Sequence, residues 1–241
     1  MSGSISSTTF GPSAAPLAPS SAAKKKRFDP ALQEGVDYSS QARPTLGPGG
    51  AVKLILQDAP EGLEEVPDYN GTVFCGETVL EMAVRAGGGH LELTPAEGIK
   101  ALADDATYIP NKGTKYDDLV RAAKNVGLDP QAKIGALDFD WIRKQLLAKR
   151  VVMIRGNVCA VPPYAFLPGA EESMRGHYML ITGFSKGSTL FRVLDPAGQA
   201  APWLSERVLD TFVRTHVYAL NGEPFGPDRP YAWSLKATGG A

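Results

Sequence analysis

Over residues 1–50 the apolar positions follow no period, whereas from Ala51 onward they do. The run Val-Lys-Leu-Ile-Leu at 52–56 reads as a short strand, and 58–72, punctuated by Pro60, Gly62, Pro67 and Gly71, reads as a loop. Val79, Leu80, Ala83 and Val84 recur at helical spacing, which predicts a helix starting at or just after Cys75 and stopped by the glycines at 87–89. A second helix is predicted over 115–125, with Thr114 as N-cap, Asp117 three residues on, and Tyr116, Leu119, Val120 and Ala123 along one face. A third spans 139–149, capped by Asp138 and closed by basic residues that suit the negative end of its dipole.

After Arg150 the pattern turns to strands. Residues 151–154 form a plausible buried strand, and a loop over 162–176 leads into two runs, 176–184 and 189–195, joined as a hairpin by Ser-Lys-Gly-Ser. Ser205 is placed to cap a short helix through Arg214, with strands following at 216–220 and 231–235. Helices come first and antiparallel strands later, so the order favours an α+β fold class.

The chain has 241 residues, 43% hydrophobic and 21% charged, as an ordinary soluble globular domain has. No apolar run approaches the roughly 18 residues of a membrane span, so a membrane is not an expected partner. The formal charge of −1 argues against nucleic acid as the main partner. Two cysteines 84 positions apart make no disulfide framework. No His-x-x-x-His spacing or grouped carboxylates suggest a metal, and no cofactor is expected. Residues 1–50 hold nine Ser, six Gly and six Pro, so this segment is expected to be a disordered tail and 51–241 the folded domain. Its run of Lys24, Lys25, Lys26 and Arg27 reads as a solvated cluster, with nuclear import or an anionic surface as the alternative. Residues 1–23 lack the basic start and apolar stretch of a secretory signal peptide.

Geometry suggests where chemistry resides. If the hairpin loop is Ser185, Lys186 and Gly187, with Gly187 left-handed, His177 faces Asp195 on one side of the sheet, near enough for a carboxylate to orient an imidazole. A two- or four-residue loop puts the two side chains on opposite faces unless a bulge corrects them. A cysteine at a helix N-terminus meets free backbone N–H groups and the positive end of the dipole, which favour a negatively charged sulfur. Gly76 beside it lets a substrate backbone come close. An imidazole taking the thiol proton completes a Cys-His-Asp arrangement for acyl transfer. The Cys75 backbone N–H and the side-chain amide of Gln57 or Asn70 are the candidate oxyanion donors.

Four blocks, in order, are similar to the Gln, Cys, His and Asp blocks of papain-like cysteine peptidases. They are Lys-Leu-Ile-Leu-Gln at 53–57, Phe-Cys-Gly-Glu-Thr-Val-Leu-Glu-Met at 74–82, Gly-His-Tyr-Met-Leu-Ile-Thr-Gly at 176–183 and Phe-Arg-Val-Leu-Asp-Pro at 191–196. Within that superfamily the chain most resembles C39-like peptidases and AvrRpt2-type bacterial effector proteases. The resemblance covers about 52–220. It implies a Cys-bearing helix packed on an antiparallel sheet that carries His and Asp. By the same resemblance Cys75 is the nucleophile, His177 the general base and then acid, Asp195 the orienting group and Gln57 the oxyanion donor. Two departures stand out. Gln57 lies 18 positions before Cys75, where the family leaves a handful, so either an insertion spans 58–72 or Asn70 takes the role. Glu77 stands where a small residue or Pro is common, and its charge opposes a thiolate.

The expected function is therefore a cysteine peptidase or related amidase acting on a protein or peptide substrate. The alternatives are a non-catalytic papain-like binding module, and deamidation or transglutamination by the same Cys-His-Asp site. The Ser- and Pro-rich tail is like the export region of secreted bacterial effectors, in which secretion machinery or a chaperone is the partner; otherwise the setting is cytoplasmic. Cys159 reads as a buried small hydrophobe, His90 as a loop residue and His216 as a strand or surface residue.

Overall fold

A computed structural model describes residues 35–40, 46–57, 74–109, 114–158, 161–162, 176–198, 200, 202–214 and 230–238. In chain order these hold β1 (Val36–Asp37), α1 (Cys75–Gly87), α2 (Pro95–Asp105), α3 (Tyr116–Asn125), β2 (Gln131–Ile134) and α4 (Phe139–Leu147). They continue with β3 (Val151–Gly156), β4 (His177–Phe184), β5 (Leu190–Leu194), β6 (Trp203–Ser205), α5 (Glu206–Arg214) and β7 (Pro230–Leu235). The strands form one antiparallel sheet in the order β2-β7-β3-β4-β5-β6, and β1 pairs with the last two residues of β4. The α+β class expected from the sequence is the one observed.

The central strands are buried along their whole length: every residue of β3 and of β4 is buried, as continuous apolar runs flanked by packed layers are. Helix α1 is also buried nearly all round, packing on α2, α3 and β4. Helix α4 lies on β3 and β4, and α5 on β3 and β6. Trp233 of β7, fully enclosed, stacks on Tyr116 of α3 with ring centroids 4.4 Å apart, fixing that helix to the sheet.

Several elements differ from the sequence expectation for identifiable reasons. Residues 52–56 make no strand; Val52 is buried and its N–H donates to the Tyr38 carbonyl at 2.8 Å. Helix α2 was not anticipated, although Thr94 and Glu97 form a complete capping box with Pro95 at the first helical position. Helix α3 begins one residue late, with Lys115 at the cap, because the Thr114 hydroxyl donates to Glu77 instead of capping. Asp138 does cap α4, accepting the Trp141 N–H at 2.9 Å. Part of the segment 1–50 belongs to the fold: β1 joins the sheet, and the buried Tyr38 hydroxyl donates to the Leu146 carbonyl at 2.6 Å. The loops expected over 58–72 and most of 162–176, and the strand over 216–220, lie outside the described residues.

Gly156, paired with His177 across β3 and β4, lies against Phe212 of α5. A Cβ there would stand 2.3 Å from the Phe212 carbonyl oxygen, so backbone must move. Gly156→Ala is expected to destabilise the fold by about 1–3 kcal/mol, read as a lower urea midpoint. An unchanged midpoint would contradict this packing.

Candidate active site

Cys75 is the first residue of α1. Its position is set by Phe74, which is fully buried and stacks on Tyr108 with centroids 4.5 Å apart. Phe74 occupies the N-cap position and makes no side-chain cap hydrogen bond, so no cap side chain consumes the first-turn N–H groups. The next residue, Gly76, allows the close approach to β4: a Cβ there would lie 2.7 Å from Leu119 Cδ1 and 3.3 Å from Tyr178 Cδ2. The sulfur is thereby brought beside His177, the first residue of β4, close enough for the thiol to raise the pKa of the imidazole.

The imidazole meets the carboxylate in turn. His177 Nε2 lies 2.7 Å from Asp195 Oδ1, leaving Nδ1 as the ring nitrogen for the sulfur. The route to this contact differs from the expected one. The β4–β5 connection pairs Phe184 with Phe191 and Ser185 with Leu190, a four-residue loop in which Gly187 is left-handed, as anticipated, with φ of 66°. A register shift between Ile181 and Gly183 then restores the face. Continuing the Leu180↔Leu194 register sets Asp195 across from Met179, so His177 is its diagonal neighbour rather than its direct partner. Asp195 is anchored by the turn that follows: its Oδ1 accepts the Ala197 N–H at 3.0 Å and its Oδ2 the Ala200 N–H at 2.8 Å.

A cysteine-bearing helix thus packs on an antiparallel sheet that presents the histidine and the aspartate. The structure is similar to that of a protein from Bacillus anthracis described as a C39-like peptidase, at 14% identity and a TM-score of 0.48, over 84% of this chain and 97% of that one. It is also similar to the peptidase domain of Streptococcus ComA, described as a bifunctional ABC transporter of a quorum-sensing pathway. That likeness has 14% identity and a TM-score of 0.43, over 77% of this chain and 98% of that one. No protein-family model matches the chain, and no curated protein matches it either.

Of the other residues singled out in the sequence, Gln57 is buried, and its backbone N–H donates to the Pro196 carbonyl at 2.9 Å, which ties it to the Asp195 turn. Asn70, Cys159 and His216 lie outside the described residues. His90 is a loop residue with a partner that its spacing did not reveal: its Nδ1 lies 2.7 Å from Oε2 of the buried Glu81, which also pairs with Arg85. Sequence reasoning assigned no site role to Tyr178 or Arg155 and pointed to Thr114 only as a helix cap, whereas the Thr114 hydroxyl donates to Glu77 on the helix that carries the sulfur. Tyr178 is buried with Arg155 over its ring at 5.4 Å, and burial pushes its hydroxyl up to about 12. Among the described residues no group of three or more His, Cys, Asp or Glu side chains is placed to hold a metal ion.

Burial opposes a charged His177, but the hydrogen bonds and negative charges of Asp195 and Cys75 outweigh it and push the imidazole pKa from 6.5 up to about 10. A native pKa above the ordinary value means that this pairing stabilises the fold fully below pH 6.5 and that the contribution is lost as pH rises through about 10. The His177 ring signals in nuclear magnetic resonance are therefore expected to report an imidazolium at pH 8. A midpoint between pH 6 and 7 would contradict the pairing.

Proposed function

We propose that this protein is a cysteine peptidase or closely related amidase, with Cys75 as nucleophile. The observation that carries the reading is the hydrogen bond from imidazole to carboxylate beside a thiol near enough to act on the same ring. In the proposed mechanism the Cys75 sulfur attacks an amide carbonyl carbon, and the oxyanion that forms rests on the Cys75 backbone N–H and the Gln57 side-chain amide. His177 gives its Nδ1 proton to the leaving nitrogen as the C–N bond breaks, producing a free amine and a thioester on Cys75. Neutral His177 then takes a proton from water, which attacks the thioester; the carboxylic acid leaves and the sulfur is restored. Asp195 holds the ring orientation through Nε2. Deamidation follows the same steps on a side-chain amide and releases ammonia.

One observation favours the alternative of a non-catalytic binding module: Cys75 is only 6% exposed and His177 only 9%. Alkylation with iodoacetamide separates the readings. As an enzyme the protein is expected to alkylate at Cys75 at least about tenfold faster than at Cys159, and His177→Ala should slow the reaction by about 10²-fold. New peptide ends on a protein substrate, lost in Cys75→Ser, identify peptidase activity, and ammonia without new ends identifies deamidation. Equal alkylation of both cysteines, insensitive to His177→Ala, would overturn the catalytic reading.

A further inference from the structure

The first turn of α1 carries two acidic groups, the thiol of Cys75 and the carboxyl of Glu77, and both are buried. Glu77 is 0% exposed. The Thr114 hydroxyl, just ahead of α3, donates to its Oε1, and its own backbone N–H also faces the carboxyl. Its Oε2 has no hydrogen-bond partner among the described residues. Tyr178 on β4 feels the charges of Arg155 on β3, Cys75 and Glu77 on α1 and Tyr116 on α3, and His177 feels those of Cys75 and Asp195. Glu81, one turn along α1, is also buried and pairs with Arg85 and His90. Arg155 lies against the Tyr178 ring, and His177 against Asp195 and the thiol, so neither cation serves as a salt-bridge partner of Glu77.

We propose that Glu77 governs the reactivity of Cys75 by competing with it for the positive end of α1, so that this turn holds one negative charge at a time. The inference rests on the reading of Cys75 as nucleophile and adds regulation by pH to that site. A helix N-terminus offers the equivalent of about half a positive charge, which falls away within one turn, and two anions inside that turn repel strongly away from water. Burial pushes the Glu77 carboxyl up to about 7, against the smaller opposing pull of Thr114 and of its own N–H. Glu77 is thus neutral on the acid side of neutrality, where it leaves the helix field to the sulfur. On the alkaline side it is ionised and makes a negative sulfur costlier. The coupling is reciprocal: a negative sulfur keeps Glu77 protonated to higher pH. An isolated thiol only gains reactivity as pH rises; Cys75 is instead held back across the titration of Glu77.

The test is the rate of Cys75 alkylation by iodoacetamide between pH 5.5 and 8.5 in the full chain, in Glu77→Gln and in Thr114→Val. Gln keeps the size and still accepts the Thr114 hydroxyl. The rate of Glu77→Gln relative to the unaltered protein is expected to rise from about onefold at pH 5.5 to about tenfold at pH 8.5. Thr114→Val removes a donor that favours the ionised carboxyl, so it should move the step to higher pH, and this second variant carries the test if Glu77→Gln does not fold. A ratio that stays constant across the range, or a Thr114→Val profile that superimposes on the unaltered one, would overturn the role of Glu77. If His177→Ala still slows alkylation in that case, the peptidase reading stands without this inference; if it does not, both fall together.

Discussion

Close contact between the N-terminus of α1 and the start of β4 brings the sulfur beside the imidazole, and the rest of the site depends on it. The contact needs a residue without a side chain beyond the sulfur, because Leu119 and Tyr178 already fill the space next to Gly76. It also needs the turn before it held still, which the stack of Phe74 on Tyr108 provides from within a small apolar cluster of Phe74, Ala96, Ile99 and Ala103. Helix α2 therefore matters to the chemistry although it carries none of it. Its capping box fixes where Ala96, Ile99 and Ala103 fall, and these pack around the residue that precedes the sulfur.

Environment sorts the two carboxyls of this region into different roles. Asp195 accepts two backbone N–H groups and one from the imidazole, an arrangement suited to a carboxylate that keeps its charge while buried. Glu77 receives a hydroxyl and its own N–H, makes no salt bridge among the described residues, and keeps its proton far above the ordinary carboxyl range. Such separation of like groups by their surroundings lets a single fold hold an orienting anion and a neutral acid around one nucleophile. The cost is borne as buried polarity: removing one partner of an enclosed ion pair typically destabilises by about 3–5 kcal/mol, since the other is left uncompensated.

The parts legible in the sequence were those with strong local signals. The spacing of Val79, Leu80, Ala83 and Val84 located α1, Asp138 located the start of α4, and the turn residues located the β4–β5 hairpin. The meeting of His177 with Asp195 was legible too, but for a partly mistaken reason: a four-residue loop with a bulge replaced a three-residue turn, and both keep the same sheet face. What remained hidden was tertiary. Thr114 looked like a helix cap because its sequence fits one, and only the packing of α3 beside α1 turns its hydroxyl to Glu77. The pairing of His90 with Glu81 closes a loop that no periodicity marks. Val36 and Tyr38 joined the core from a stretch whose Ser, Gly and Pro content concealed two anchoring positions.

Whether sulfur, ring and carboxylate act as one unit is best decided by a double-mutant cycle on Cys75 alkylation, comparing the unaltered protein, His177→Ala, Asp195→Ala and the combined variant. Groups that depend on one another lose nearly all their effect when either is removed, so the combined variant should react about as slowly as His177→Ala alone. Independent losses that multiply in the combined variant would show that the carboxylate does not work through the imidazole, and would contradict the site described above.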